Sequence, residues 1–188
     1  MPIQKIVPFL WYTKEAEEAA ALYTGIFPDS RIVAITRYGE AGFEIHRRPA
    51  GSVMTVEFEL NGQPFTALNG GPHFTFNEAV SFLVHCRDQV EIDRYWAQLS
   101  SVPESEQCGW CKDRYGVSWQ ISPIVLDELM TSGNQAVVDR VTQAFLQMKK
   151  LAVNRSVLNL FLAPDFADRL RDRNPYDCFL DQFPVHPQ

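Results

Sequence analysis

Two cysteines with dithiol spacing pose the first chemical question. Cys108-Gly109-Trp110-Cys111 is a literal C-x-x-C. In a reducing compartment that spacing can carry thiol–disulfide exchange. The chemistry needs the first thiol at a helix N-terminus, where the dipole lowers its pKa. Here the pair leads into KDRYGVSWQISP, a turn followed by a strand pattern. On a strand, residues i and i+3 face opposite sides. The sulfurs then point apart, away from disulfide geometry. Buried or half-buried reduced thiols are expected instead. Four cysteines, Cys86, Cys108, Cys111 and Cys178, in a chain of 188 residues are not a disulfide scaffold and suit a reducing cytoplasm. The histidines, His46, His73, His85 and His186, are scattered and show no ligand spacing. No Ser-His-Asp set can be placed.

The elements that must position these groups come in two similar sets. With a shift of 73 and no gaps, residues 8–27 (PFLWYTKEAEEAAALYTGIF) lie over residues 81–100 (SFLVHCRDQVEIDRYWAQLS). Phe9 then meets Phe82, Leu10 meets Leu83, Tyr23 meets Trp96 and Ile26 meets Leu99. Each set opens on a short apolar run, 6–12 or 80–85, and continues as a helix. The first helix has an apolar stripe of Ala16, Ala19, Ala20, Leu22, Tyr23 and Ile26, acidic residues in its first turns, and Pro28 as its stop. The second repeats the stripe with Val90, Ile92, Tyr95, Trp96 and Leu99, behind Asp88 as N-cap.

Strands are expected at 30–39 and 52–60, then at 63–68 after the Asn61-Gly62 hairpin signal. In the second set they are expected at 106–112 and 117–122, around a turn at 113–116. A four-residue turn there would set Lys112 opposite Val117 and Trp110 opposite Trp119. Residues 42–51 read as a surface loop. Beyond Pro123 the pattern is helical, with one short helix at 125–130 and a longer one at 135–151.

The chain is 46% hydrophobic, enough for a real core, and carries a net charge of −6, which argues against a nucleic-acid partner. No apolar run has the length of a membrane span. The N-terminal residues lack a small-residue cleavage site, so no signal peptide is expected. Cytoplasmic localisation follows as the expectation.

Four stretches together resemble a known family. They are PFLWY at 8–12, EAEEAAALYTGIFPDS at 15–30, FTALNGGPHFTFNEAVSF at 65–82 and CGWCKDRYGVSWQISP at 108–123. The chain is similar to the PhnB-like family, often labelled 3-demethylubiquinone-9 3-methyltransferase, within the vicinal oxygen chelate (glyoxalase/bleomycin-resistance) superfamily. The resemblance spans residues 3 to about 151. It implies an α+β fold of tandem βαβββ repeats, units at about 3–72 and 79–123, forming a concave mixed sheet with helices outside. A helical extension at 124–151 completes the domain of residues 1–151, and the tail 152–188 has no counterpart. It also implies paired units enclosing a cavity, and a homodimer.

In metal-using relatives four strand positions supply ligands, usually His and Glu. By the resemblance these positions are Pro8, Leu68 or Asn69, Ser81 and Gln120. None suits a divalent metal, so neither a metal nor a cofactor is expected. The methyltransferase label also lacks support. Asn69-Gly70-Gly71-Pro72 joins two strand patterns, whereas a Rossmann-type cofactor turn joins a strand to a helix.

Alternation then gives a cavity wall of Pro8, Leu10, Tyr12, Asn69, Ser81, Leu83, His85, Ser118 and Gln120. Three readings stand open: a metal-free protein that binds a small, partly apolar molecule; an enzyme using metal-free acid–base chemistry through His85 or Tyr12; and a structural dimer with a collapsed cavity.

Overall fold

The structure, a computed structural model, describes residues 4–153. The expected tail beyond 153, with its apolar cluster around Leu160 and with Cys178 and His186, lies outside the described residues. The described chain divides into two compact units, one ending at Asn77 and the other beginning at Glu78. Both are mixed α+β.

The first unit runs β1 (Phe9–Tyr12), α1 (Ala16–Ile26), β2 (Arg31–Arg37), α2 (Phe43–His46), β3 (Val53–Leu60) and β4 (Gln63–Asn69). Its sheet has the order β1-β4-β3-β2, with β1 parallel to β4 and the other pairs antiparallel. Asn61 and Gly62 both take positive φ, 47° and 78°, which is the backbone that a tight two-residue hairpin demands. The short helix α2 falls within the expected loop at 42–51. Left-handed residues bound it on both sides, Gly42 at φ 79° and Arg47 at φ 56°.

Helix α1 covers one face of this sheet. Ala16, Ala19 and Ala20 are fully buried, and their small side chains let the helix approach closely. Tyr23, also buried, sets its hydroxyl 3.2 Å from that of Tyr12 and its ring 6.3 Å from that of Phe58. Glu15 makes no side-chain cap. Instead Asn69, at the end of β4, accepts a hydrogen bond from Ala16 N at 2.9 Å. A strand residue thus satisfies one of the orphan donors of the helix.

The second unit runs β5 (Ser81–Cys86), α3 (Gln89–Leu99), β6 (Trp110–Lys112), β7 (Ser118–Pro123), α4 (Ile124–Met130) and α5 (Gln135–Phe145). Its sheet has the order β5-β7-β6, with β5 and β7 parallel and β6 antiparallel to β7. Asp88 caps α3 as expected, accepting from Glu91 N at 2.8 Å. Ile92, Tyr95 and Leu99 bury the inner stripe of α3 against the face formed by Phe82, Cys86, Cys111, Trp119 and Ile121.

Three local expectations need correction here. Strand β6 starts at Trp110, because Cys108 and Gly109 form a two-residue turn. Gln107 and Trp110 exchange backbone hydrogen bonds of 3.1 and 2.7 Å across it, with φ of 52° at Cys108 and 85° at Gly109. Helix α5 ends at Phe145, well before 151. The carbonyls of Met148 and Lys149 are needed elsewhere: they accept from Cys108 N at 2.8 Å and Gly109 N at 2.7 Å. Finally, the β6–β7 register is shifted by one. Asp113 N donates to Val117 O at 3.0 Å, so Lys112 faces Ser118 and Trp110 faces Gln120. The expected Trp110–Trp119 pair does not form.

Candidate functional site

The face of the second sheet opposite α3 gathers a compact set of side chains. In the parallel ladder Ser81 pairs with Ser118, Leu83 with Gln120 and His85 with Ser122. Across the antiparallel ladder Trp110 meets Gln120 and Lys112 meets Ser118. Alternation puts all of these on one side. Five of the residues expected to line a cavity, Ser81, Leu83, His85, Ser118 and Gln120, therefore share a face.

The face combines apolar surface with a few fixed polar groups. Leu83 is 45% exposed and Trp110 is half-buried. Gln120 Nε2 donates to Ser81 Oγ at 2.8 Å, which fixes the amide and leaves its oxygen as an acceptor. His85 Nδ1 lies 3.1 Å from an Asp127 carboxylate oxygen on α4. Lys112 pairs with Glu78, and that contact holds the Glu78 carboxyl below its ordinary pKa. Ser118 differs from these. It is 1% exposed, and its Oγ has no hydrogen-bond partner among the described residues. Trp110 also lines an adjoining groove of about 540 Å³ with Cys108, Phe145, Leu146, Glu78 and Glu104.

The first unit departs from the expected wall. Leu10, Tyr12 and Asn69 are buried on the side that α1 covers. Asn69 is fully engaged: besides the bond from Ala16 N, its Nδ2 donates to Val53 O at 3.1 Å. Pro8 lies just before β1, with its carbonyl accepting from Thr66 N at 3.0 Å. The cause is one residue of connector. The helices start at Ala16 and Gln89, 73 apart, whereas the strands before them end at Tyr12 and Cys86, 74 apart. An ungapped alignment therefore inverts the parity of β1. The residues of β1 on the side opposite α1 are Phe9 and Trp11, the counterparts of Leu83 and His85.

The C-x-x-C forms a two-residue turn leading into a strand. Cys86, Cys108 and Cys111 are free thiols, and Cys111 is buried on the face that α3 covers. Burial, with Asp113 and Glu106 nearby, pushes the Cys111 thiol up to about 12. Burial likewise pushes Cys86 up to about 12, with Glu91 and Asp88 adding to the shift. Alkylation of the native protein at about pH 8, where an ordinary thiol reacts readily, is expected to leave both unmodified. In denaturant both should label. Peptide mapping that finds Cys111 labelled in the native state as fast as in the unfolded one would overturn this assignment.

With the geometry in place, comparisons with known proteins decide the family. The sequence profile described as 3-demethylubiquinone-9 3-methyltransferase matches residues 4–122. The chain belongs to this PhnB-like family. The PhnB protein from Bacillus cereus is 39% identical, over 64% of this chain and 99% of that one, with a TM-score of 0.53. A protein from Staphylococcus aureus is 31% identical, over 64% of this chain and 96% of that one, with a TM-score of 0.30. Among curated proteins none matches the chain.

Two features bear on the chemistry of this PhnB-like chain. Among the described residues no group of three His, Cys, Asp or Glu is placed to hold a metal ion. The side chains on the face of β5-β7-β6 opposite α3 are mostly hydroxyl, amide and apolar, its lysine pairs with Glu78, and its imidazole meets a carboxylate. This donor set does not fit a transition metal. Second, the Gly70-Gly71 pair serves Trp11. A Cβ on Gly70 would lie 2.2 Å from the indole ring, so the missing side chain makes room for a tryptophan. Sequence reasoning set Trp110 opposite Trp119 instead of on the face opposite α3, and named Asp113 only as a turn residue. The signal for Asp113 was present, as an acidic residue opening a hairpin turn.

Proposed function

We propose that this PhnB-like protein is a metal-free binder of a small molecule, with the face of β5-β7-β6 opposite α3 as its recognition surface. The observation that supports this most directly is the buried, unpartnered hydroxyl of Ser118. A buried hydroxyl without a partner costs on the order of 1–3 kcal/mol, and folded proteins keep few such groups. Beside it stand a pre-oriented amide at Gln120 and apolar surface from Leu83 and Trp110. A molecule with an uncharged hydrogen-bonding group and an apolar body matches that arrangement.

The reading has a distinctive signature in mutants. Ser118→Ala removes an unsatisfied group, so the free protein should hold its stability or gain about 1 kcal/mol. The same change should weaken binding of a hit from a thermal-shift screen of uncharged metabolites. Gln120→Leu should keep the fold and lose about tenfold in affinity, the scale of one hydrogen bond to a neutral partner. Calorimetric titration with that hit is the measurement. Equal affinities for wild type and both variants would defeat the proposal.

The metal-free part is tested separately. Elemental analysis of protein purified without chelator is expected to find no stoichiometric transition metal. About one metal ion per chain, lost on replacing Gln120 or His85, would overturn it.

A further inference from the structure

The first unit holds a second constellation, at the end of β1 and β4. It is built on Arg48, Trp11, His73 and Phe74. We propose that it recognises an anionic group carried on a flat apolar body, as in an aromatic carboxylate. The proposal is independent of the Ser118–Gln120 face, which lies in the other unit and is argued from a hydroxyl and an amide.

Arg48 supplies the charge. It is half-buried, and its Nη2 donates to Thr13 O at 3.2 Å. No carboxylate pairs with it among the described residues. The chain carries 23 acidic against 17 basic residues, so an unneutralised, partly desolvated guanidinium is conspicuous. Its backbone is anchored from behind. Arg48 N donates to His46 Nδ1 at 3.0 Å, and the His46 ring stacks on Tyr38 with centroids 4.6 Å apart. A guanidinium has five N–H donors in a planar fork, and one carbonyl uses only one of them. The remainder match the two oxygens of a carboxylate.

Gly71 gathers a second polar side chain. A Cβ there would lie 2.4 Å from Arg48 Nη2 and 3.7 Å from the His73 ring. Both groups therefore converge on one glycine, whose φ of 101° suits it to that place. His73 has no partner among the described residues. Arg47, exposed and also without a partner among them, adds positive charge next in sequence. The backbone donors of Gly70 and Gly71 are both spent on Tyr12 O. An anion here would be held by side chains.

The aromatic half is equally fixed. Trp11 Nε1 donates to Gly71 O at 2.8 Å, and the ring packs over Gly70. Phe74 meets that ring edge-on, with centroids 5.0 Å apart and planes at 82°, yet is 64% exposed. A rigid indole and an exposed phenyl beside a guanidinium with no carboxylate partner among the described residues offer a flat apolar surface with a cation at its margin.

The test uses the whole chain and three probes: 1-naphthoate, the uncharged 1-naphthamide, and inorganic phosphate. Calorimetric titration should show 1-naphthoate binding, weakened by added salt, with 1-naphthamide at least about tenfold weaker. Arg48→Gln, which keeps an N–H donor but removes the charge, should lose about tenfold for naphthoate and leave naphthamide unchanged. Arg48→Lys should recover part of that loss, and circular dichroism should confirm that both variants are folded. Ser118→Ala should leave naphthoate binding intact, which separates this site from the other face. Equal binding of naphthoate and naphthamide, or naphthoate binding unchanged in Arg48→Gln, would overturn the anion assignment. Phosphate displacing naphthoate at comparable concentration would overturn the aromatic part.

Discussion

Replacing Asp113 with alanine is expected to lower the unfolding free energy by about 3–5 kcal/mol. Asp113 is 1% exposed and organises the β6–β7 turn. Its Oδ1 accepts from Tyr115 N at 2.8 Å and Val117 N at 3.1 Å, and its Oδ2 accepts from Trp119 Nε1 at 2.9 Å. Alanine removes these acceptors together. Val117 and Trp119 are buried, so their donors cannot turn to water instead. Each stranded donor costs on the order of 1–3 kcal/mol, and a small domain holds only about 5–15 in total. Asp113→Asn should cost roughly half as much by the same rule. Its amide oxygen can still serve the two turn amides, but its NH₂ then faces the indole N–H. Denaturant titration followed by tryptophan fluorescence gives both values. A loss under about 1 kcal/mol for alanine would show that the turn holds without its carboxylate.

The same hairpin shows why some of this molecule was legible in the sequence. Local chemistry specified several features outright. Asn61-Gly62 dictates a two-residue hairpin because both positions need positive φ. Asp88 dictates a helix start because its side chain can reach Glu91 N. The shared face of Ser81, Leu83, His85, Ser118 and Gln120 follows from alternation along each strand once the family resemblance turns Ser81 and Gln120 to the same side. What these residues bind does not follow from it.

Features set by tertiary contact were not legible. Residues 146–151 contain no Gly or Pro, so nothing local stops α5 at Phe145. The stop comes from carbonyls of Met148 and Lys149 claimed by a turn distant in sequence. The orientation of β1 failed for a smaller reason. Three residues separate β1 from α1, but two separate β5 from α3. A period of two converts that one-residue difference into a complete exchange of faces. Leu10 and Tyr12 thus became core, and Trp11 turned to the side opposite α1, near Arg48. Asn69 became a helix cap because α1 lacks a local one.

Gly109→Ala should destabilise the protein by about 2–4 kcal/mol, the sum of two separable terms. The first is conformational. At φ 85° an L side chain is strained by roughly 1–2 kcal/mol. The second is packing. A Cβ at Gly109 would lie 2.9 Å from Leu151 Cδ1 and 3.0 Å from Ile121 O. The Ile121 carbonyl belongs to the central strand and cannot move alone, so Leu151 must give way. Leu151 is buried and lies just past the carbonyls that bind the Cys108-Gly109 turn. Displacing it should loosen the segment from 146 to 153 as a piece. Gly62→Ala isolates the first term, since Gly62 has φ 78° but an added methyl there would meet nothing within 4 Å. It should cost only about 1–2 kcal/mol. The two variants can be compared by thermal melts and limited proteolysis. Gly109→Ala should melt lower and be cleaved first between 146 and 153, while Gly62→Ala should keep the wild-type cleavage pattern. Equal melting temperatures and identical cleavage patterns would mean that the segment after α5 does not depend on the glycine it packs against.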